Sequence, residues 1–401
     1  MLKDITFSNY KKDDIHGAVL YPATMVAPVQ KIILDFLFKN TKITSVYDPF
    51  HGSGTALYEA ATLSNEVELY GCDINPLANL ITKVKLQGVS KSILKNISLL
   101  EKFIYEDNKC GYSFKNIDKW FRKDIKENLI KIRQSIIKIK NKKDRLFFWC
   151  ILSTFIRKYS NTRSETFKLH IKKDDSITRI KDNLIESYIV SLKHYAPMFI
   201  GVSKKPILYK EDVINNLSRF KGESIDLLIS SPPYGDNPTT VTYGEFSSLS
   251  LFWIDKADLE LEGWELNSYA VIDTNSLGKN RGYVDITHEN LKLINIFLSK
   301  IRKEKQKKVL NFFDDYFKFL DGISRITKKY IVLTLGNRTV DGVTINLTEI
   351  TKKYLENKGF KNEYLLTRKI LNKRIPIVTS NVNNKAVSSM NNEYVLIHQR
   401  I

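Results

Sequence analysis

Apolar residues follow two different rhythms along this chain. Over residues 15–85 and 205–400, short apolar runs alternate with stretches of helical period, the pattern of an α/β fold. His16-Gly17 and Tyr21-Pro22-Ala23-Thr24 read as loop, and Pro28 suits the first turn of a helix carrying Val29, Ile32, Ile33, Phe36 and Leu37. A strand at Val46-Tyr47 is followed by a helix from Ala56 to Ala61, then by a strand from Val67 to Cys72. After residue 205 come a strand at Ile207–Asp212, a helix at Val213–Phe220 and a strand from Ser224 to Ile229. Residues 235–244 are a Gly/Pro-punctuated loop. Phe246–Trp253 is helical, 255–285 polar and irregular, and 287–328 one long helical stretch. Tyr330–Leu335 is a buried strand, Leu347–Lys358 a helix stopped by Gly359, and 363–371 with 393–398 a last strand pair. Between about 85 and 205 glycine almost vanishes, no strands are evident, and Lys and Arg recur beside Ile, Leu and Phe at helical spacing.

The most informative stretch is Asp226-Leu227-Leu228-Ile229-Ser230-Ser231-Pro232-Pro233-Tyr234. Proline cannot donate to a sheet ladder, so the strand stops near Ser231. The two prolines would hold the Ser231 hydroxyl, the Pro232 carbonyl and the Tyr234 ring on one stiff platform. Such a platform can accept hydrogen bonds from an amino group while the aromatic face covers a flat ring. An ordinary strand ending in a Pro-Pro turn explains the stretch equally well when it is taken alone.

A second stretch, Asp48-Pro49-Phe50-His51-Gly52-Ser53-Gly54-Thr55, carries a strand into a Gly-rich turn and a helix. Glycines there let a ligand approach the backbone, and a helix N-terminus offers unpaired N–H groups. About 20 residues on, Asp73 ends the next strand, where dinucleotide folds place an acid on ribose hydroxyls. Asp73 could equally cap the helix that begins near Pro76. Asp212 ends a later strand in the same way.

Composition narrows the setting. The chain has 401 residues and a mass of 46.5 kDa; 43% are hydrophobic and 27% charged, as in a globular protein with a full core. A net charge of +19 and a pI near 9.5 favour a polyanionic partner over a mere lysine-rich bias. From 101 to 200 there are 23 Lys plus Arg against 12 Asp plus Glu, so the helical region holds more than half of the excess. A solvated helical face would explain any one basic run, but a whole basic helical insertion suggests a nucleic-acid-facing subdomain. Within it, Arg157-Lys158-Tyr159-Ser160-Asn161-Thr162-Arg163-Ser164 is a candidate contact loop. Cys72, Cys110 and Cys150 form neither a disulfide framework nor a zinc pattern. With no signal-peptide core and no apolar run of membrane length, a soluble cytoplasmic protein is expected.

Taken together, these stretches resemble the S-adenosylmethionine-dependent amino-group DNA methyltransferases, most closely the cytosine-N4 modification enzymes. The resemblance covers about 15–85 and 205–400. It implies a Rossmann-like α/β fold with a mixed seven-stranded sheet, interrupted by the basic helical insertion: residues 1–85 and 206–401 form the methyltransferase domain, and 86–205 is the insertion. Asp48, Pro49, Phe50, Gly52, Ser53, Gly54 and Thr55 look like the family's motif I, which wraps the methionine part of S-adenosyl-L-methionine. Tyr21, Pro22 and Thr24 look like motif X beside the same pocket. Asp73 and Ile74 match the ribose-binding motif II; Asp212 and Val213 match motif III near the adenine. Ser231, Pro232, Pro233 and Tyr234 match the catalytic motif IV, whose Ser-initiated form is typical of cytosine-N4 enzymes and whose Asp-initiated form is typical of adenine-N6 enzymes. The tail, Leu335-Gly336-Asn337-Arg338 through Asn372-Lys373-Arg374-Ile375-Pro376, is also similar to the cytosine-N4 group. No metal site is expected.

The implied reaction is direct methyl transfer to the exocyclic nitrogen of a base flipped out of double-stranded DNA, with Tyr234 stacked on it. A cognate restriction endonuclease is the implied partner. Carbon-5 methylation needs a cysteine nucleophile in a Pro-Cys motif, and the three cysteines here follow Gly71, Lys109 and Trp149. Adenine-N6 methylation, RNA amino methylation and a non-catalytic DNA-binding role stand as rivals. The long spacing between Asp73 and Asp212 leaves two candidates for DNA recognition, the insertion and the Tyr243-Gly244-Glu245-Phe246 neighbourhood.

Overall fold

The computed structural model describes residues 5, 7, 9–106, 111–235, 241–261, 271–278, 283–370, 378–382, 385–388 and 392–401. Seven strands form the main sheet: β1 (Ser45–Asp48), β2 (Glu68–Cys72), β3 (Ile207–Tyr209), β4 (Ile225–Ser230), β5 (Thr327–Leu335), β6 (Phe360–Lys369) and β7 (Asn392–Arg400). Their order is β3-β2-β1-β4-β5-β7-β6. The strands from β3 to β5 are parallel to their neighbours, and β7 runs antiparallel to both β5 and β6. The expected mixed seven-stranded Rossmann-like sheet is present.

The central strands are buried on both faces, which is why they read as unbroken apolar runs. Every residue of β1 and β4 is buried. The pleat sends alternate side chains to opposite sides. Val46, Leu227 and Ile229 pack with Ile33, Leu34, Ala56 and Leu57 of the helices Ala27–Asn40 and Thr55–Leu63. Tyr47 and Leu228 pack on the other face with Leu217 of the helix Val213–Ser218, Phe313 and Phe319 of Lys303–Ile326, and Tyr354 of Leu347–Glu356. Pro28 lies in the first turn of its helix, as its fixed φ favours.

Between β2 and β3 the described chain is helical, with a single β-bridge at Thr162 and Ile171. Its core, with Phe121, Phe148, Trp149 and Tyr188, is continuous with Leu77 and Ile81 of the helix Pro76–Gln87 and with Leu249 and Trp253 of Tyr243–Trp253. Ion pairs reinforce that junction. The buried Asp258 carboxylate takes Arg145 at 2.7 Å and the Trp149 indole N–H at 2.7 Å. Glu260 takes Lys83 and Lys142 at 2.8 and 2.9 Å.

Three details depart from the apolar pattern. The stretch 287–328 is two helices, His288–Leu298 and Lys303–Ile326. Their break is at Arg302, whose backbone N–H and guanidinium both reach Asp341, a partner the helical period cannot reveal. That Asp341 sits in the turn of a small hairpin, Arg338–Val340 with Val343–Ile345, which the apolar pattern did not mark. Finally, Arg157, Ser160, Asn161 and Thr162 are buried, so the expected contact loop is largely interior and only Lys158, Arg163 and Ser164 are exposed. Residues 372–376 of the expected family tail lie outside the described residues, as does Cys110.

Removing one partner of a buried, hydrogen-bonded charge pair strands the other. Asp258→Ala is therefore expected to lower unfolding free energy by about 3–5 kcal/mol, measured by urea denaturation. Lys142→Ala, which cuts one of several exposed contacts of Glu260, is expected to cost about 0–1 kcal/mol in the same assay.

Candidate active site

The strand order reverses between β1 and β4: β2 continues on one side and β5 on the other. In open α/β sheets ligands bind beyond the carboxyl ends of the strands at such a reversal. A cleft of about 920 Å³, open mouth included, lies there. Its walls hold Tyr21, Pro22, Thr24, Pro49, Phe50, Gly52, Ser53, Thr55, Asp73, Ile74, Asp212, Val213, Ser231 and Pro233. Segments more than 200 residues apart in sequence thus share one cavity.

The Gly-rich turn is shaped by two left-handed residues, Gly52 at φ 49° and Gly54 at φ 70°. A Cβ at Gly54 would come within 2.6 Å of Thr82 Oγ1, whereas one at Gly52 would meet the Tyr21 ring at an ordinary contact distance of 3.4 Å and is disfavoured by the left-handed backbone alone. The bare backbone at Gly52 thus faces the cleft under the Tyr21 ring. The helix Thr55–Leu63 starts at the same wall. Asp73 accepts the Gly52 N–H at 3.0 Å and the Asn75 N–H at 2.8 Å, so it braces the turn from the end of β2. It does not cap the following helix; Asn75 does, accepting from Leu77 N–H. Asp212 caps the helix Val213–Ser218 through the Ile214 N–H.

Four of the proposed residues stand behind or beside the wall. Asp48 is fully buried; its Oδ1 accepts the Ser230 hydroxyl at 2.6 Å and the Phe50 N–H, while Oδ2 has no hydrogen-bond partner among the described residues. Gly54 and Pro232 are buried and are not among the residues that line the cleft. The Tyr234 hydroxyl lies 3.1 Å from Ser231 Oγ and donates weakly to the Thr334 carbonyl at 3.4 Å. Its ring packs on the core of the sheet's second face. Arg338, just past β5, donates to the Gly235 carbonyl and lies over the Phe312 ring, fixing the exit of the Pro-Pro turn.

Other lining residues carried no separate sequence signal or an unread one. Asn75 donates to the Tyr21 hydroxyl at 3.1 Å and to Ser247 Oγ at 2.8 Å, tying three segments together. Its position before Pro76 is a helix-start signal that could have been read. His51 is held by Thr82 and Asn79, and burial lowers its pKa so that it stays neutral. Ile272, Asp273 and Asn275 come from the stretch read as irregular; Asp273 accepts the N–H groups of Gly244 and Glu245 at the start of a helix. Nothing local in the sequence marks them.

The cleft contradicts the protein's average charge. Asp73, Glu211, Asp212 and Asp273 line it, with no lysine or arginine among the described lining residues. Burial raises the pKa of both Asp73 and Asp273, against the backbone N–H groups that hold the charged form. A cationic ligand would relieve that cost.

Similarity in sequence decides the family. The chain is 30% identical to the Type II methyltransferase M.MvaI of Kocuria varians over 422 aligned positions, covering 96% of this chain and 91% of that protein. The chain belongs to the Type II DNA methyltransferases. No protein-family model matches it. The methyl donor of these enzymes is S-adenosylmethionine. The cleft of this methyltransferase fits that donor: an acid-lined wall suits its sulfonium and ammonium charges, and the bare Gly52 backbone leaves room for close approach.

The Asp48 carboxyl gives a pH signature. Burial pushes it up from 3.8 to about 7. A carboxyl that holds its proton more tightly when folded destabilises the native state as pH rises from its unfolded value to its folded one. Across about pH 4 to 7 the parent protein is expected to lose up to about 4 kcal/mol relative to Asp48→Asn, read by urea denaturation at both ends of that range.

Proposed function

We propose that this enzyme methylates the exocyclic N4 of cytosine in double-stranded DNA, with the target base turned out of the helix, as the modification arm of a restriction–modification system with a cognate endonuclease. The observation that carries this reading is the shared cleft: Ser231 and Pro233 stand on one wall of a cavity whose other walls are Gly52, Asp73 and Asp212.

S-adenosylmethionine supplies an electrophilic methyl group on a sulfonium. Pro49, Phe50, Gly52, Ser53 and Thr55 would hold its amino-acid end, Asp73 and Ile74 its ribose, and Asp212 with Val213 its base. Tyr21, Pro22 and Thr24 would close the opposite side. The amino nitrogen of cytosine is a weak nucleophile because its lone pair is delocalised into the ring. The hydroxyl order Ser231 to Tyr234 to the Thr334 carbonyl satisfies both hydroxyl protons and leaves the Ser231 lone pairs to accept an amino N–H. A second acceptor at the Pro232 carbonyl would favour a pyramidal nitrogen with its lone pair aimed at the methyl. Ser231 is too weak a base to take the proton early, so it leaves to solvent after transfer. The Ser at this position supports cytosine over adenine as the target.

The helical segment 86–205 supplies the DNA-facing surface in this proposal. Glu245, two residues beyond the cleft-lining Tyr243, accepts the Leu169 N–H at 2.8 Å, and Arg163, His170 and Lys173 flank that tether, exposed. The soluble, positively charged chain fits a cytoplasmic enzyme working on a polyanion.

The direct test is incubation with S-adenosylmethionine and unmethylated DNA, followed by nucleoside mass spectrometry. N4-methylcytosine is the expected product; N6-methyladenine would keep the mechanism and overturn the base, and a product in RNA alone would overturn the substrate. Ser231→Ala is expected to lower transfer about 10²–10³-fold, with cofactor affinity changed by less than about threefold. Arg163→Ala should weaken binding to all DNA sequences alike and reduce the salt slope by about one unit.

A further inference from the structure

Behind the cofactor loop lies a second, smaller cavity, with Ser53 lining both it and the cleft. Ile15, His16, Ile81, Lys85, Cys150 and Phe199 form much of its wall, an apolar place for two ionisable groups. Lys85 is 3% exposed, yet its ammonium has defined partners: the Ser53 carbonyl at 2.6 Å and His16 Nδ1 at 3.3 Å. His16 Nε2 is 2.8 Å from the Glu59 carboxylate, and its backbone N–H reaches Asp14.

The proton positions follow from the donors. An ammonium only donates, so His16 Nδ1 accepts and the imidazole proton resides on Nε2, directed at Glu59. Burial and the Lys85 charge lower the His16 pKa, in keeping with a neutral ring. Burial likewise brings Lys85 down to about 8, which leaves it mostly protonated at neutral pH.

The bond to Ser53 falls on a single peptide plane. The Gly54 N–H of that peptide donates to the His51 carbonyl at 2.7 Å. In a trans amide the C=O and N–H point oppositely, so the Ser53–Gly54 unit is pinned from both sides. It lies between the left-handed Gly52 and Gly54, residues with little steric preference of their own. The turn's conformation therefore depends on what grips that peptide.

We propose that Lys85 is a positioning residue for the methyl donor: held by His16 and Glu59, its ammonium grips the Ser53 carbonyl and fixes the Gly52–Gly54 turn that the donor contacts. This rests on the reading that the cleft holds S-adenosylmethionine. It gives the N-terminal loop around His16 a task in cofactor binding although His16 is not in the cleft.

The test is calorimetric titration of the full-length protein with S-adenosylmethionine, alongside DNA affinity and thermal melting. Lys85→Met is expected to weaken donor binding about tenfold or more while DNA affinity stays within about twofold. His16→Leu should weaken it as well, whereas His16→Gln, whose amide can accept from Lys85 and donate to Glu59, should restore affinity to within about twofold of the parent. Donor affinity unchanged in Lys85→Met, or His16→Gln indistinguishable from His16→Leu, overturns the proposal. If Lys85→Met does not fold, the His16 pair decides. Asp73→Ala separates this idea from the site itself: if that variant binds the donor normally, the cleft has been misread, and if it alone is impaired, only the role of Lys85 fails.

Discussion

Between β1 and β4 the Ser230 hydroxyl donates to the buried Asp48 carboxyl over 2.6 Å, and this contact ties together the two strand ends from which the turns of the cleft begin. The two strands are parallel neighbours, with Val46 opposite Leu227 and Tyr47 opposite Leu228. Both therefore end at the same edge of the sheet. One step beyond Asp48 the chain enters the Gly-rich turn; one step beyond Ser230 it enters the Pro-Pro turn. A register slip of a single residue would exchange the faces of every side chain in β4 and carry Ser231 away from the cleft.

Charge is sorted by position. The cleft gathers carboxylates at its rim and keeps one, Asp48, beneath its floor, although the whole protein carries +19. A cationic donor and a polyanionic substrate make opposite demands, and a small acid-lined cavity within a basic exterior meets both. Burial magnifies the local charges while water screens the exterior ones, so the cleft can hold its own electrostatic character.

The helical segment is joined to the sheet by more than chain connectivity. Its core runs into the helices Pro76–Gln87 and Tyr243–Trp253, which themselves border the cleft through Asn75 and Tyr243. The Tyr21 ring packs on Tyr243 at 5.9 Å and Phe246 at 6.3 Å, and Arg157 from the helical segment lies over Phe246 at 4.4 Å. A continuous packed path therefore connects the surface proposed for DNA with the wall proposed for the cofactor.

The sequence by itself determined the α/β alternation, the strand ends at Asp48, Asp73 and Ser231, and the two turns that follow the first and last of them. Those features are local: apolar period, proline and glycine act over a few residues, and most proposed residues near them line one cleft. It also carried enough family resemblance to point to the methyltransferases. Only the tertiary structure decided that Asp73 braces the Gly52 turn, that Asp273 completes the cleft, and that 287–328 breaks at Arg302. It likewise buried Arg157, Asn161 and Thr162, which composition had placed on the surface, and turned the Tyr234 hydroxyl toward Ser231. Most of these depend on a partner far away in sequence, and no local pattern records which distant group will satisfy a buried polar atom.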